Sequence, residues 1–208
     1  MKSLPQVILQ RLRPAGSVHT SRDFLDLGSR AAVDQALSRL VRDGNVTRIG
    51  RGLYHVPRVN PRLGIAVPPD ADEITNALAR QTGSRVLPSG AAAANRLGLS
   101  TQVPAKAVYL TDGRSRHWRA GKLDIQFKHV TPNHFKVRHP DSALVFAALR
   151  YLGKDNVGDR TLKVLRSTLT PDQRRGLRED ARHSPRWVAV AVTGLDKDTA
   201  TPQNSSDG

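Results

Sequence analysis

Residues 17–57, SVHTSRDFLDLGSRAAVDQALSRLVRDGNVTRIGRGLYHVP, constrain this chain more than any other stretch. Val33, Ala36, Leu37, Leu40 and Val41 fall at i, i+3, i+4, i+7 and i+8, the apolar stripe of an amphipathic helix. Ser29 is placed to cap that helix, and Gly44 to stop it. Its opposite face carries Ala31, Gln35, Ser38, Arg39 and Arg42, which are small or polar. Gly28 supplies a turn residue free to take positive φ. Ahead of it, Thr20 or Ser21 caps a shorter helical segment, Arg22 to Asp26, with Phe24 and Leu25 turned inward. Behind it, Val46–Ile49 and Leu53–Val56 are β-prone runs joined through Gly50-Arg51-Gly52, a tight hairpin with a basic tip. Short helix, turn, amphipathic helix and hairpin are the order of a winged helix-turn-helix. A small, polar helix face fits the DNA major groove. The same pattern also suits a helical packing unit that binds no nucleic acid; the arginines at the hairpin favour DNA.

The rest of the chain divides around this stretch. Leu4, Ile8 and Leu12 form a stripe on a first helix, and Ser17–His19 is a short strand able to pair with the hairpin. The DNA-binding domain is therefore expected over 1–58. Residues 59–69 are rich in proline and read as a linker, in which the alternation of Leu63, Ile65 and Val67 also allows packing. A mixed α/β C-terminal domain is expected over 70–193. It opens with helix 70–82, strand 85–87 and a small-residue helix after Ser89, read as a cap. Strands at Lys106–Thr111 and Lys122–Val130 follow, joined by the basic loop DGRSRHWRAG. Helices at 142–153, 160–169 and 172–183, and a last helix or strand with Trp187, complete it. A disordered polar tail is expected over 194–208. The predicted fold class is α+β: the winged helix-turn-helix, then a domain with a small sheet and several helices.

Charge points to the partner. The 208 residues carry a formal net charge of +15, which favours a polyanion through phosphate neutralisation. Ten Lys/Arg stand against four Asp/Glu in residues 1–60, and seven against two in 111–139, so the excess is concentrated in two zones. The chain has no cysteine, which excludes disulfides, thiolate metal sites and a cysteine nucleophile. No apolar run approaches a bilayer span and the N-terminal stretch is no secretory signal, so a cytoplasmic protein with no membrane partner is expected.

Searches for chemistry yield little. Asp112, Asp124, Gln126 and Lys128 form a pattern of the kind that holds a divalent ion in nucleases. Alternating polar residues are also what any half-exposed strand displays. His129, His134 and His139 recur at a spacing that suits neither one helix face nor one strand face for zinc. No phosphate-binding glycine loop or nucleophile elbow occurs. The expectation is a chain without catalytic residues, metal or cofactor.

The segments GSVHTSRDFLDLGSRAAVDQALSRL, RGLYHVPR and LPSGAAAANRLGLSTQVPAKAVYLTDG together resemble the AbiE-type (type IV toxin–antitoxin) antitoxin family, over roughly residues 1–193. The closer likeness is to its branch found beside nucleotidyltransferase-like toxins. The resemblance implies a phage-defence antitoxin whose N-terminal winged helix binds its own promoter as an autorepressor. The C-terminal domain then counteracts the toxin; direct contact with the toxin is not implied. Matched onto this chain, the DNA-reading positions are Arg30, Asp34, Gln35, Ser38, Arg39 and Arg42 on the second helix, with Arg48 and Arg51 in the hairpin. Gln35 suits an adenine edge, and Arg39 a guanine or a phosphate. Arg42, Arg48 and Arg51 suit phosphates or the minor groove. Asp34 either accepts from a cytosine or pairs with Arg30. The basic stretch Arg114, Arg116, Trp118, Arg119 and Lys122 is a candidate second nucleic-acid contact, or a solvated hairpin tip. Two other functions remain open: a regulator of an unrelated operon with a ligand-sensing C-terminal domain, and a nuclease delivered by the winged helix.

Overall fold

The computed structural model describes residues 2–12, 17–121 and 123–196, and the tail expected over 194–208 lies mostly outside them, as does the Pro14–Gly16 stop after the first helix. Among the described residues the protein is mixed α+β, with eight α-helices and small sheets. The chain divides into two compact units, 1–86 with 106–129, and 87–105 with 130–208. This division differs from the boundaries read at 58 and 69. The physical reason is a core that residues 1–58 share with elements far along the chain.

The first unit begins with α1 (Leu4–Leu12), β1 (Val18–Thr20) and a 3₁₀ turn at Ser21–Phe24, where a short α-helix was expected. The Asp23 carboxylate accepts from the Thr20 N–H at 2.9 Å and closes this turn. Helix α2 (Arg30–Arg42) starts at Ser29, whose hydroxyl accepts from the Ala32 N–H. Its stripe of Val33, Ala36, Leu37 and Leu40 is buried with Ile8, Leu12, Phe24, Val46 and Tyr54. Gly44 takes φ +72° just after the helix, as a stop residue should. Gly28 does not adopt positive φ, and a Cβ there would stand 3.9 Å from a Leu4 methyl, an ordinary contact, so nothing in the turn requires glycine.

Strands β2 (Thr47–Gly50) and β3 (Leu53–His55) form the expected hairpin, and β1 pairs antiparallel with β3 to give the order β1-β3-β2. Arg48 pairs with Tyr54 and Gly50 with Leu53, so Ile49 is an extra residue in β2. Such a bulge bends its strand and increases the local twist. The proline-rich stretch forms a two-stranded hairpin, β4 (Arg58–Val59) and β5 (Ala66–Val67). Leu63, Ile65 and Val67 on it are all exposed, so the alternation does not serve packing.

Helix α3 (Ala71–Thr82) begins at a capping box in which Asp70 accepts from the Glu73 N–H and Glu73 from the Asp70 N–H. It packs on a four-stranded sheet of order β6-β7-β9-β8, built from β6 (Val86–Pro88), β7 (Ala107–Thr111), β8 (Arg116–Ala120) and β9 (Leu123–His129). The segment read as a basic loop is therefore largely a strand. β7 runs parallel to β9 and β8 antiparallel to it, with Arg116 opposite Phe127, Trp118 opposite Ile125 and Ala120 opposite Leu123. Ile74, Ala77 and Leu78 of α3 are buried with Tyr109, Ile125 and Phe127, and with Val18 and Leu53 of the first sheet. Arg80 on α3 reinforces this union by donating to the Val18 carbonyl at 2.8 Å.

The second unit is helical. Helix α4 (Gly90–Arg96) starts at Ser89, whose hydroxyl accepts from the Ala92 N–H, so Ser89 is a cap. Helices α5 (Pro140–Leu152), α6 (Asp159–Thr168), α7 (Pro171–Asp180) and α8 (Arg186–Thr193) follow. Ala93, Ala94, Val145, Phe146, Ala148, Leu149, Leu165, Leu177 and Val188 form one buried core here. A Cβ on Gly90 would stand 2.8 Å from the Ala147 carbonyl, so glycine lets α4 lie close against α5. The buried Asp180 carboxylate accepts from the N–H groups of Arg138 and His139, both at 2.9 Å, and ties α7 to the lead-in of α5.

Candidate nucleic-acid interface

Helix α2 buries one stripe and turns the other outward. Arg30, Gln35, Ser38, Arg39 and Arg42 are exposed and Asp34 is half-buried. Arg30 Nε donates to the Asp34 carboxylate at 2.8 Å, four residues on, and the two charges offset each other. The Ser38 hydroxyl donates to the Asp34 carbonyl at 2.8 Å, so its proton is already used within the helix. Among the described residues, the Gln35, Arg39 and Arg42 side chains have no hydrogen-bond or ion-pair partner. An amide with both donor and acceptor free, followed by two uncompensated cations on one helix face, can engage a base edge and adjacent phosphates.

The hairpin extends this charge. Arg51 is exposed at its tip and also lacks a partner among the described residues. Arg48 is exposed on β2 and donates from Nε to the Gly50 carbonyl at 3.3 Å, which ties its head to the bend while leaving other N–H groups outward. Thr47, beside it, is exposed as well and adds a hydroxyl that the sequence reading did not single out. Its position in a β-prone run beside an arginine carried no distinguishing signal.

The second candidate patch is divided by the pleat of β8. Arg116 and Trp118 lie on the core side of the sheet. Arg116 donates to the Leu78 carbonyl at 3.3 Å, and its guanidinium lies 4.8 Å from the Phe127 ring centroid. Burial pushes its pKa below the ordinary arginine value. Trp118 packs against the Val18–Leu53–Phe127 core. A tryptophan held there does not offer a face for base stacking, so these two residues leave the proposed patch. Arg114 and Arg119 are exposed, but Arg119 pairs with Asp124 at 2.9 Å. Lys122 lies outside the described residues.

The residues considered for metal chemistry are otherwise engaged. Asp112 accepts from the Arg85 N–H at 2.7 Å and from Arg85 Nε at 2.8 Å. Burial alone would raise the Asp112 carboxyl, but these bonds and the arginine charge hold it below its usual range. Asp124 pairs with Arg119, and the His129 ring bonds the Gly113 carbonyl at 2.8 Å. Among the described residues no three His, Asp or Glu side chains converge to hold a metal ion.

Residues 7–177 match DUF6088, a family of unknown function, and this span is well over half of the chain. The chain belongs to this family. The match runs from α1 through α2, the hairpin and the four-stranded sheet to α7, so the features above lie within family territory. A comparison with curated proteins gives no match. Membership of DUF6088 names no activity. No helix among the described residues is long and apolar enough to cross a membrane.

Proposed function

We propose that residues 1–58 form a winged helix-turn-helix that binds double-stranded promoter DNA. We further propose that the protein is the antitoxin and autorepressor of a type IV toxin–antitoxin pair, counteracting a nucleotidyltransferase-like toxin. The observation that carries the DNA half is the outward face of α2, where Gln35, Arg39 and Arg42 are unpartnered, next in sequence to a bulged hairpin with Arg51 unpartnered at its tip. The element order α1, β1, 3₁₀ turn, α2, β2, β3, with β1 on β3, supports the winged-helix reading. The net charge of +15 supports a nucleic-acid partner. The toxin half rests on the resemblance of the three segments given above. In this reading α2 lies in the major groove, Gln35 reads an adenine edge, and Arg39, Arg42, Arg48 and Arg51 hold backbone or groove. No residue is assigned a catalytic step, and no cofactor is required.

Two substitutions test the DNA half by fluorescence anisotropy on a duplex taken from upstream of the protein's own gene, against a scrambled duplex. Gln35→Ala is expected to relax preference at one base pair by about 1–3 kcal/mol while leaving binding to the scrambled duplex unchanged. Arg51→Ala is expected to weaken binding to both duplexes and to reduce the slope of log K against log salt by about one. Equal affinity of the wild-type chain for both duplexes would sink promoter recognition. For the toxin half, co-expression with the neighbouring gene product is expected to restore growth. Absence of a nucleotidyltransferase-like reading frame beside this gene would remove the ground for it.

A second reading has one observation in its favour. A cleft of about 1110 Å³ in the second unit is lined by Leu162, Trp187, Val190 and Ala191, with Lys154 and Arg186 among its polar residues. An apolar cleft with a few polar groups is where a small effector would bind, as in a ligand-sensing regulator. A metabolite-dependent shift in promoter affinity, with no effect on any toxin, would favour that reading.

A further inference from the structure

The hairpin that carries Arg48 and Arg51 does not stand free. A methyl placed on Gly50 would lie 3.1 Å from Trp118 Cζ2 and 3.5 Å from Cε2 and Nε1, so the indole rests directly on the Gly50 backbone. On the other side of the tip, a methyl on Gly52 would lie 3.5 Å from Gln81 Nε2, at the end of α3, and Gly52 itself takes φ +70°. Just before Gly50, Ile49 is the bulged residue and packs toward the same core as Trp118. Arg48 donates to the Gly50 carbonyl, so the backbone under the indole also holds the arginine head. Trp118 is fixed in turn by its place in β8, opposite Ile125 of β9, which is fully buried.

We infer that Trp118 is a positioning residue for nucleic-acid recognition: it touches no DNA, but seats the bulge at Ile49–Gly50 and thereby aims the Arg48 and Arg51 cations. The inference rests on the DNA-binding reading above. Its physical basis is that a bulge has more than one low-energy bend. β2 is the edge strand of the β1-β3-β2 sheet, bonded only to β3, so packing on its face is needed to hold it in one of them. The indole supplies that packing, and the absence of a Cβ on Gly50 lets it approach. Cations on a wandering hairpin neutralise fewer phosphates at once than cations held in one arrangement. The loss therefore appears in the salt dependence of binding as well as in affinity.

The test uses the full-length chain and the two duplexes above, with affinity measured across a salt series and thermal melting followed by circular dichroism. Trp118→Ala is expected to flatten the slope of log K against log salt by about one to two, as the loss of one or both hairpin contacts would. On the Trp118→Ala background, Arg51→Ala is expected to add little further flattening, because the two changes remove the same contact. Trp118→Phe, which keeps a ring against Gly50, is expected to retain most of the wild-type slope. Should Trp118→Ala melt below the assay temperature, Gly50→Ala replaces it. The added methyl displaces the hairpin from the indole while the core keeps all its side chains, and the same coupling to Arg51 is expected. A folded Trp118→Ala or Gly50→Ala chain with a wild-type slope and a fully additive Arg51→Ala effect overturns the inference while DNA binding stands. Wild-type chain that binds neither duplex overturns the DNA reading and this inference with it.

Discussion

Leu53→Ala is expected to lower the free energy of unfolding by about 2–5 kcal/mol, the range for removing a fully buried leucine where the cavity closes only in part. Leu53 is 0% exposed, and its neighbours are not those of the α2 stripe. It is buried with Val18, Ile74, Ala77, Leu78, Tyr109, Ile125 and Phe127, which come from β1, α3, β7 and β9. The cavity would thus open at the seam where the first sheet meets α3 and the second sheet. Urea unfolding followed by circular dichroism measures the effect. A change under about 0.5 kcal/mol, the size of an ordinary surface substitution, would mean that the seam carries little of the stability. The same seam predicts that a fragment ending at residue 58 lacks a cooperative transition, since Val18 and Leu53 would face water.

Asp180→Ala is expected to cost about 3 kcal/mol, because two backbone N–H groups lose a charged acceptor at once. Asp180 is 0% exposed, and its two oxygens serve Arg138 and His139 separately. Asp180→Asn keeps one acceptor oxygen and is expected to cost less. The linkage with pH follows from the direction of its pKa. Burial would raise the carboxyl, but the N–H bonds from Arg138 and His139 outweigh it and hold the folded value below the ordinary 3.8. Unfolded chain then takes up the proton first as pH falls. The stabilisation is complete above the unfolded value and is lost as pH falls through the folded one. Melts of wild type and Asp180→Asn at neutral and strongly acidic pH are expected to differ most at neutral pH and to converge in acid. A gap that stays constant across pH would show that the carboxylate charge is not what holds the α5 lead-in.

Local periodicity made most of the elements legible. Helix α2 was readable to within a residue because Val33, Ala36, Leu37 and Leu40 state one face and Ser29 marks the start. Helices α3, α6 and α7 were readable for the same reason and α5 from its apolar run, whereas α8 stood open between helix and strand. What the helices and strands pack against was not readable, since nothing local in Val18 or Leu53 reveals that their partners lie at Ile125 and Phe127. Strand β8 was missed because the four charged or histidine side chains from Arg114 to Arg119 mask its alternation. Arg116, Trp118 and Ala120 do share one face, and that signal was present. Within the candidate site, the outward residues of α2 were legible as a face, whereas the Arg30–Asp34 pair and the Ser38 back-bond required coordinates. Gly28 was assigned a positive φ that it does not take, and the space around it would admit a Cβ.

The interleaving of the two units along the chain has a consequence for synthesis. The chain passes between them after residues 86, 105 and 129, so neither unit is completed by a single continuous run. When residue 105 leaves the ribosome, Val18, Leu53, Ile74 and Leu78 have been made, but Tyr109, Ile125 and Phe127 have not. The 24 residues from 106 to 129 take roughly 1–5 s to add at ribosomal rates. Through that interval the nascent chain carries an uncovered apolar seam, and chaperone capture or aggregation competes with the arrival of β9. Slower translation across 106–129 would lengthen this exposure, making the codons of that segment a determinant of how much protein folds.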